Sequence, residues 1–232
     1  MNVNREKQIL EILLKEKKAS VGELARALFI SEPSVRRDLQ SLENQNLIKR
    51  THGGAVLEET ALSKNRIPFL LREYEQSDAK AAIAQKAIDL ICDNDVIFLD
   101  ASTSCYYLIP FLASKRNLTV ITNGVKALSK LAEYDINTIS TGGALVSSCL
   151  ALVGEEAHKT IEAYNANIAF FSCRGVSDEG YLTDISPEEN AVRKRMISRS
   201  RKSYLLCASE KFGKSYFHNL CHLDDISAVI KE

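Results

Sequence analysis

Seven polar side chains near the start of the chain have the types and spacing to read a nucleic acid. Ser34, Arg36, Arg37 and Gln40 cluster in one short stretch, and Lys49, Arg50 and His52 follow soon after. Arginine offers a fork of donors for guanine edges or phosphate, glutamine pairs with adenine, and serine suits phosphate oxygens. Lys49, Arg50, Thr51 and His52 would set further donors on the phosphate backbone or in a minor groove. An arginine pair alone is also what a solvated helix face carries, so the chemistry depends on the elements that present these residues.

Those elements are legible from periodicity. Val21, Leu24, Ala25 and Leu28 fall at i, i+3, i+4 and i+7, the apolar stripe of a helix. Phe29 to Ser31 breaks the pattern; Ser31 is suited to cap a second helix and Pro33 to sit in its first turn. In that second helix Val35, Leu39 and Leu42 share one face. The opposite face carries Pro33, Arg37, Gln40 and Asn44, flanked by Ser34, Arg36 and Ser41. Leu47 to Arg50 reads as a strand, His52-Gly53-Gly54 as a turn whose glycines permit positive φ, and Ala55 to Leu57 as the return strand. An earlier helix with Ile9, Ile12 and Leu13 on one side completes a three-helix core. Its terminal Lys15, Lys17 and Lys18 suit either phosphate contact or the helix macrodipole. The expectation is a winged helix-turn-helix domain over residues 1–57.

The run SxxSVRRDLxxLExxxLIxRxHGGA, from Ser31 to Ala55, closely resembles the N-terminal domain of the DeoR family of bacterial transcriptional regulators. The match spans recognition helix and wing without a gap. It implies double-stranded operator DNA as a partner.

At 232 residues the chain suits a small domain plus one of ordinary size. Its 30 basic and 30 acidic side chains balance overall, yet residues 1–57 hold 10 Lys/Arg against 7 Asp/Glu and the remainder 20 against 23. The small positive excess lies on the part read as binding DNA. No apolar run approaches the roughly 18 to 20 residues needed to span a bilayer, and Met1 to Lys18 interleaves charge with apolar residues, unlike a signal peptide. A cytoplasmic protein without a membrane partner is expected. Cysteines 92, 105, 149, 173, 207 and 221 form no CxxC pair and lie mostly in apolar segments, which suggests reduced core thiols. His218, Cys221 and His222 lie close together but lack a fourth ligand, so neither a metal nor a cofactor is expected.

Residues 58–75 lose periodicity and read as an interdomain linker. Strand, polar loop and helix then repeat over 76–232. Val96 to Leu99 precedes Asp100 to Ser104 and a helix to Leu112; Leu118 to Ile121 precedes Thr122-Asn123-Gly124 and a helix from Val125. Ile136 to Ser140 ends in Thr141-Gly142-Gly143, and Ile168 to Phe171 in Ser172-Cys173-Arg174-Gly175. Helices over Glu155 to Ala163 and Pro187 to Ser198, with strands at Tyr204 to Cys207 and Ile226 to Ile230, complete an α/β domain with a mostly parallel sheet. Ligands of such sheets bind beyond the carboxyl ends of the strands, which here carry hydroxyls, Asn123 and glycines. Ser102, Thr103 and Ser104 precede a helix N-terminus, where backbone N–H groups favour an anion, although hydroxyl residues cap most helices anyway.

The DeoR resemblance extends through this domain, in IFLDASTS, ITN, TGG followed by LVG, EENAVRKRMI and SEKFG. It implies a ribose-5-phosphate isomerase-like fold that senses a small phosphorylated sugar. The matching positions are Asp100, Ser102, Thr103, Ser104, Asn123, Gly142, Gly143, Glu189 and Lys211, with Lys211 as the phosphate cation. Ser102, Val146 and Ala208 depart from the family's usual Gly, Arg and Asp. Arg174 offers an alternative positive group or an ion pair to acidic neighbours. The function implied is sequence-specific regulation of transcription, as a homo-oligomeric (dimeric or tetrameric) repressor of sugar-metabolism genes released by a phosphorylated sugar. The rival is an aldose–ketose isomerase fused to a DNA reader, with Asp100, Glu189 and Lys211 supplying the base and cation such chemistry needs.

Overall fold

The computed structural model describes residues 3–45, 47–57 and 69–232, and the chain divides into two compact units, 1–75 and 76–232. In the first, α1 (Val3–Glu16), α2 (Val21–Leu28) and α3 (Glu32–Asn44) pack with a three-stranded antiparallel sheet of order β1 (Lys18–Ser20), β3 (Gly54–Leu57), β2 (Ile48–Thr51). Helix α2 begins with a capping box: Ser20 Oγ accepts from the Glu23 N–H, and the Glu23 carboxylate accepts from the Ser20 N–H. Ser31 is the N-cap residue of α3, but its hydroxyl bonds the Ser34 hydroxyl at 3.0 Å and not the expected backbone N–H.

The wing glycines serve two purposes. Gly53 has φ +93°, as the turn requires, whereas at Gly54 a Cβ would stand 2.3 Å from the Ala19 carbonyl oxygen. Only the first needs the left-handed freedom inferred for both; the second lets β1 approach β3. Strand β1 itself was not legible, because three residues carry no period.

Ile9, Leu13, Leu24, Val35, Leu39 and Ile48 form the apolar centre of this unit, and Leu71 joins them. Leu71 lies on α4 (Phe69–Tyr74), within the stretch expected to be linker. Its complete burial contributes about 1.5–3 kcal/mol, which draws the segment into the N-terminal unit. The linker expectation therefore needs correcting over 69–74, and residues 58–68 of that expectation lie outside the described residues.

The second unit is built on a six-stranded sheet of order β14 (Ala228–Ile230), β12 (Ser200–Leu206), β9 (Ala166–Phe171), β4 (Val96–Leu99), β5 (Thr119–Thr122), β6 (Asn137–Ser140), with every neighbouring pair parallel. The two-residue period assigns the faces. Ile97, Leu99, Val120 and Phe170 pack against α5 (Ser77–Ala87), α6 (Thr103–Leu112) and α7 (Val125–Glu133). Phe98, Ile121 and Ala169 pack against α8 (Glu155–Glu162) and α9 (Pro187–Ser198). Two smaller sheets were not anticipated: the hairpin β7 (Ala144–Val146)–β8 (Ala151–Val153), and a group of order β10 (Gly175–Val176), β11 (Tyr181–Asp184), β13 (His218–His222). Among the described residues no helix is long and apolar enough to cross a membrane.

Candidate functional site

Helix α3 turns Val35, Leu39 and Leu42 inward and leaves Arg36, Arg37 and Gln40 exposed, with Ser34 half-buried. The outer side chains are lightly tied to one another. Arg37 donates to Ser34 Oγ at 3.3 Å, Arg36 pairs with Glu32 at 2.9 Å, and Gln40 donates to Asn44 Oδ1 at 3.1 Å. The wing is fixed to this helix by Glu43, whose carboxylate accepts from the Arg50 backbone N–H at 2.9 Å, while the Arg50 guanidinium donates to Gln40 Oε1. Lys49, Arg50 and His52 are exposed, and among the described residues Lys49 has no ion-pair partner.

Asp38, inside the RRDL motif, faces the other way. It is 5% exposed and accepts two bonds from Arg5 of α1, which fastens α1 to α3. Sequence reading missed this pair, although the signal was present. Asp38 falls on the Val35–Leu39–Leu42 stripe, where a charged residue must be partnered.

In the second unit the carboxyl ends of five neighbouring strands bring together the loops at 100–104, 122–124, 141–143, 172–175 and 207–211. Asp100, 2% exposed, is saturated: Oδ1 accepts from the Ser102 N–H, and Oδ2 accepts from the Ser172 N–H and from Arg193 Nε at 2.8 Å. Ser102 caps α6, its Oγ accepting from the Cys105 N–H; Thr103 and Ser104 are also buried. Asn123 donates to the Leu152 carbonyl at 3.0 Å. That bond fixes the amide's orientation and leaves Oδ1 buried without a partner among the described residues. Gly142 and Gly143 both have positive φ, and a Cβ on Gly143 would meet the Val153 carbonyl at 2.4 Å, so the loop entering β7 passes closely against β8 there.

Lys211 reaches under the next loop. Its ammonium donates to Ser172 Oγ at 3.0 Å and to the Cys173 carbonyl at 2.8 Å, and Ser172 Oγ lies 3.5 Å from Ser104 Oγ. Both Lys211 partners are neutral, and among the described residues no carboxylate pairs with it. Lysine, hydroxyls and the N-terminus of α6 thus converge on one place.

Arg193, not singled out by sequence reading, is the hub beneath this site. It is 4% exposed and donates to Asp100, Asp184, Asn190 and Glu189. Burial disfavours its charge, yet Asp184, Asp100 and Glu189 hold its pKa well above the ordinary value. Burial likewise opposes the Asp184 charge, but Arg193, the Ile185 N–H and Arg174 outweigh it and lower that pKa. The i,i+4 spacing of Glu189 and Arg193 was the signal available in the sequence. Arg174, offered as a cation for the pocket or as an ion-pair partner, stands 3.9 Å from Asp184 and over the Tyr216 ring. Glu189 stays bound to Arg193 at 3.3 Å. The departures are packed into apolar surroundings: Ala208 is buried in the cluster around α6, and Val146 lies against the one around α8. His218 bonds Asn190 and His222 bonds the Glu179 carbonyl, so the two imidazoles serve different segments.

Residues 5–61 match the family model described as the DeoR-like helix-turn-helix domain, and residues 75–232 that of the DeoR C terminal sensor domain. The chain belongs to the DeoR family. It shares 35% identity over 229 residues, 98% of this chain and 88% of the relative, with the uncharacterized HTH-type transcriptional regulator YulB of Bacillus subtilis (strain 168). It shares 34%, over 98% of this chain and 91% of the relative, with the L-fucose operon activator of Haemophilus influenzae. Among solved structures, eIF2B delta from Chaetomium thermophilum matches with TM-score 0.51 and 18% identity over 91% of this chain and 75% of that one, a likeness of fold alone. Ribose 5 phosphate isomerase A from Neisseria gonorrhoeae matches with TM-score 0.44 and 17% identity over 60% of this chain and 54% of that one. This DeoR-family member is thus a transcriptional regulator with a helix-turn-helix unit and an α/β sensor unit.

Proposed function

We propose that the sensor unit binds a small phosphorylated sugar and that binding alters the grip of the winged helix on operator DNA. The observation that carries this reading is Lys211, a cation whose partners among the described residues are all neutral, beside Ser104 at the N-terminus of a ten-residue helix. A phosphate there would meet an ammonium, hydroxyls and free backbone N–H groups. The orphan Asn123 Oδ1 would accept from a sugar hydroxyl, and Gly142, Gly143 and the outer side of Glu189 would border the remainder. Asp100 has a different part: with both oxygens engaged it shapes the Ser102–Ser104 loop and is not free to serve as an isomerase base. Arg174, paired with Asp184, is likewise a brace.

On DNA, Arg37 and Gln40 would read base edges, while Ser34, Arg36, Lys49, Arg50 and His52 would contact the backbone or minor groove. One such unit makes few phosphate contacts, so we propose a homo-oligomer placing two or more units on half-sites about 10 base pairs, or a multiple, apart. Light scattering on the whole chain tests this, and a monomer at micromolar concentration counts against it. The protein would work in the cytoplasm, where DNA and sugar phosphates meet.

Thermal unfolding with a panel of phosphorylated pentoses and hexoses, beside the same sugars unphosphorylated, tests the pocket. A ligand at 100 times its Kd stabilises by about 2.7 kcal/mol. Only phosphorylated sugars should stabilise the wild type, and Lys211→Ala should lose that response while keeping its affinity for DNA duplexes selected from a random pool. An unchanged response in Lys211→Ala would overturn the site. Release from DNA is the repressor reading. Activation is the second, because the relatives from Haemophilus influenzae and Escherichia coli carry the name L-fucose operon activator. The sign of the ligand's effect on duplex affinity separates them.

A further inference from the structure

Two of the six cysteines have a relation the others lack. Strands β9 and β12 run parallel with Phe171 opposite Leu205. Two residues further on, Cys173 and Cys207 continue that register beyond the last paired residues. The alternation puts both on the same face: Phe171, Cys173, Leu205 and Cys207 share one apolar cluster, whereas Phe170, Tyr204 and Leu206 belong to another. Neighbouring strands lie about 4.8 Å apart, inside the roughly 4.4–6.8 Å window of Cα separations a disulfide spans. Both side chains are buried; the Cys207 thiol donates to the Ala208 carbonyl at 3.6 Å, and Lys211, which donates to the Cys173 carbonyl at 2.8 Å, stands beside the pair. Cys92 is exposed and the remaining thiols are distributed among other segments.

We propose that Cys173 and Cys207 form a reversible thiol–disulfide site at the floor of the strand-end loops, closed by a hydroperoxide. The neighbouring Cys173 and then the Lys211 ammonium hold the Cys207 thiol below its ordinary pKa against the effect of burial, whereas Cys207 and burial push the Cys173 thiol up, so Cys207 is the nucleophile of the pair. Cys207 sulfur attacks one peroxide oxygen, the O–O bond breaks, and the other oxygen leaves with the thiol proton as water, or as an alcohol from an organic hydroperoxide, giving a sulfenic acid. The Cys173 sulfur then attacks the Cys207 sulfur and expels the second oxygen as water. For hydrogen peroxide, two thiols and one peroxide become one disulfide and two waters, with both sulfurs oxidised and both peroxide oxygens reduced. The bond would tether the ends of β9 and β12 next to the carbonyl that accepts from Lys211, so redox state and the lysine's position are coupled. This inference does not depend on what the loops bind.

The test uses the full chain carrying Cys92→Ser, so that the exposed thiol cannot cross-link molecules. After hydrogen peroxide and alkylation, trypsin should release residues 160–174, which hold Cys173 as their only cysteine, joined to 203–211, which hold Cys207 alone. Dithiothreitol should separate them, and free thiols in denaturant should fall from five to three. Cys173→Ala should instead trap a dimedone-reactive sulfenic acid at Cys207. The linkage is read on protein with both cysteines intact, so it stands even if that variant folds poorly. Peptides 160–174 and 203–211 that stay unlinked, with their thiols intact or oxidised past sulfenic acid, would overturn the proposal. So would a link from either peptide to Cys105, Cys149 or Cys221.

Discussion

The same contact, an arginine on a carboxylate, occurs in both units with nearly the same length and opposite consequences. Arg36 meets Glu32 at 2.9 Å on a helix surface, each side chain about half exposed. Arg193 meets Asp100 and Asp184 at 2.8 Å, each at no more than 9% exposure. An exposed pair contributes about 0–1 kcal/mol, because water competes for both partners, so Arg36 can exchange Glu32 for a phosphate at little loss. In the interior the exchange is forbidden, since a charge left without its partner has no water to turn to. Distance says little about what an ion pair is for; burial separates a group held ready for a partner from one that holds a site in shape.

The largest effect should come from breaking the buried side of this comparison. Arg193→Met leaves two buried carboxylates, Asp100 and Asp184, and the half-buried Glu189 without their shared cation and should destabilise the sensor unit by about 3–5 kcal/mol in urea unfolding. A loss below about 1 kcal/mol would mean that water enters the cluster. The same residues should set the acid limit. The Asp184 carboxyl titrates below its ordinary 3.8, so its contribution is complete above that pH and is lost as pH falls through the lower folded value. Asp184→Asn should flatten the decline in stability on that acid limb, and an unaltered slope would assign the decline to other groups.

On the exposed side the effects should appear in binding and not in folding. Arg37→Ala should weaken a selected duplex by about 1–3 kcal/mol and spare random DNA, whereas Lys49→Ala should weaken both alike. Equal losses for Arg37→Ala on both duplexes would demote it to a phosphate contact. The smallest effect sharpens the comparison most. Glu32→Ala should change stability by less than about 1 kcal/mol while raising affinity for any duplex, because Arg36 loses a competitor for phosphate. A fall in affinity would show that the pair positions Arg36 for DNA.

The two units also differed in how far their sequences could be read. Helices α2 and α3 have a period of 3.6 and the wing a period of two, so which side chains face outward followed from counting. Even there Asp38 was informative only when placed on the stripe. The parallel strands and polar loops of the sensor unit were equally plain, as at Val96–Leu99 followed by Asp100–Ser104. The network beneath them was not. Asp100, Ser172, Asp184 and Arg193 span 93 positions between the first and last bonded pair, and nothing local relates them. Helix α4 and the sheets of two- to five-residue strands were missed for another reason: tertiary packing, and not their own pattern, holds them in place.

Asp100 carries a consequence for genetics. Its carboxylate faces the Ser102 N–H, the Ser172 N–H and Arg193, so all its bonds are spent within the protein. If Lys211 holds a small-molecule inducer, as proposed, a screen for alleles that no longer respond to that inducer would return changes at Asp100 and Arg193 as readily as changes at Lys211. A map drawn from such alleles would make the binding site look one layer deeper than it is. Phenotype alone would merge the two classes, whereas second-site suppressors should part them: a buried defect can be relieved by a compensating change in the same network, such as one at Asp184 or Glu189, and a missing ligand contact can be relieved only by a different inducer.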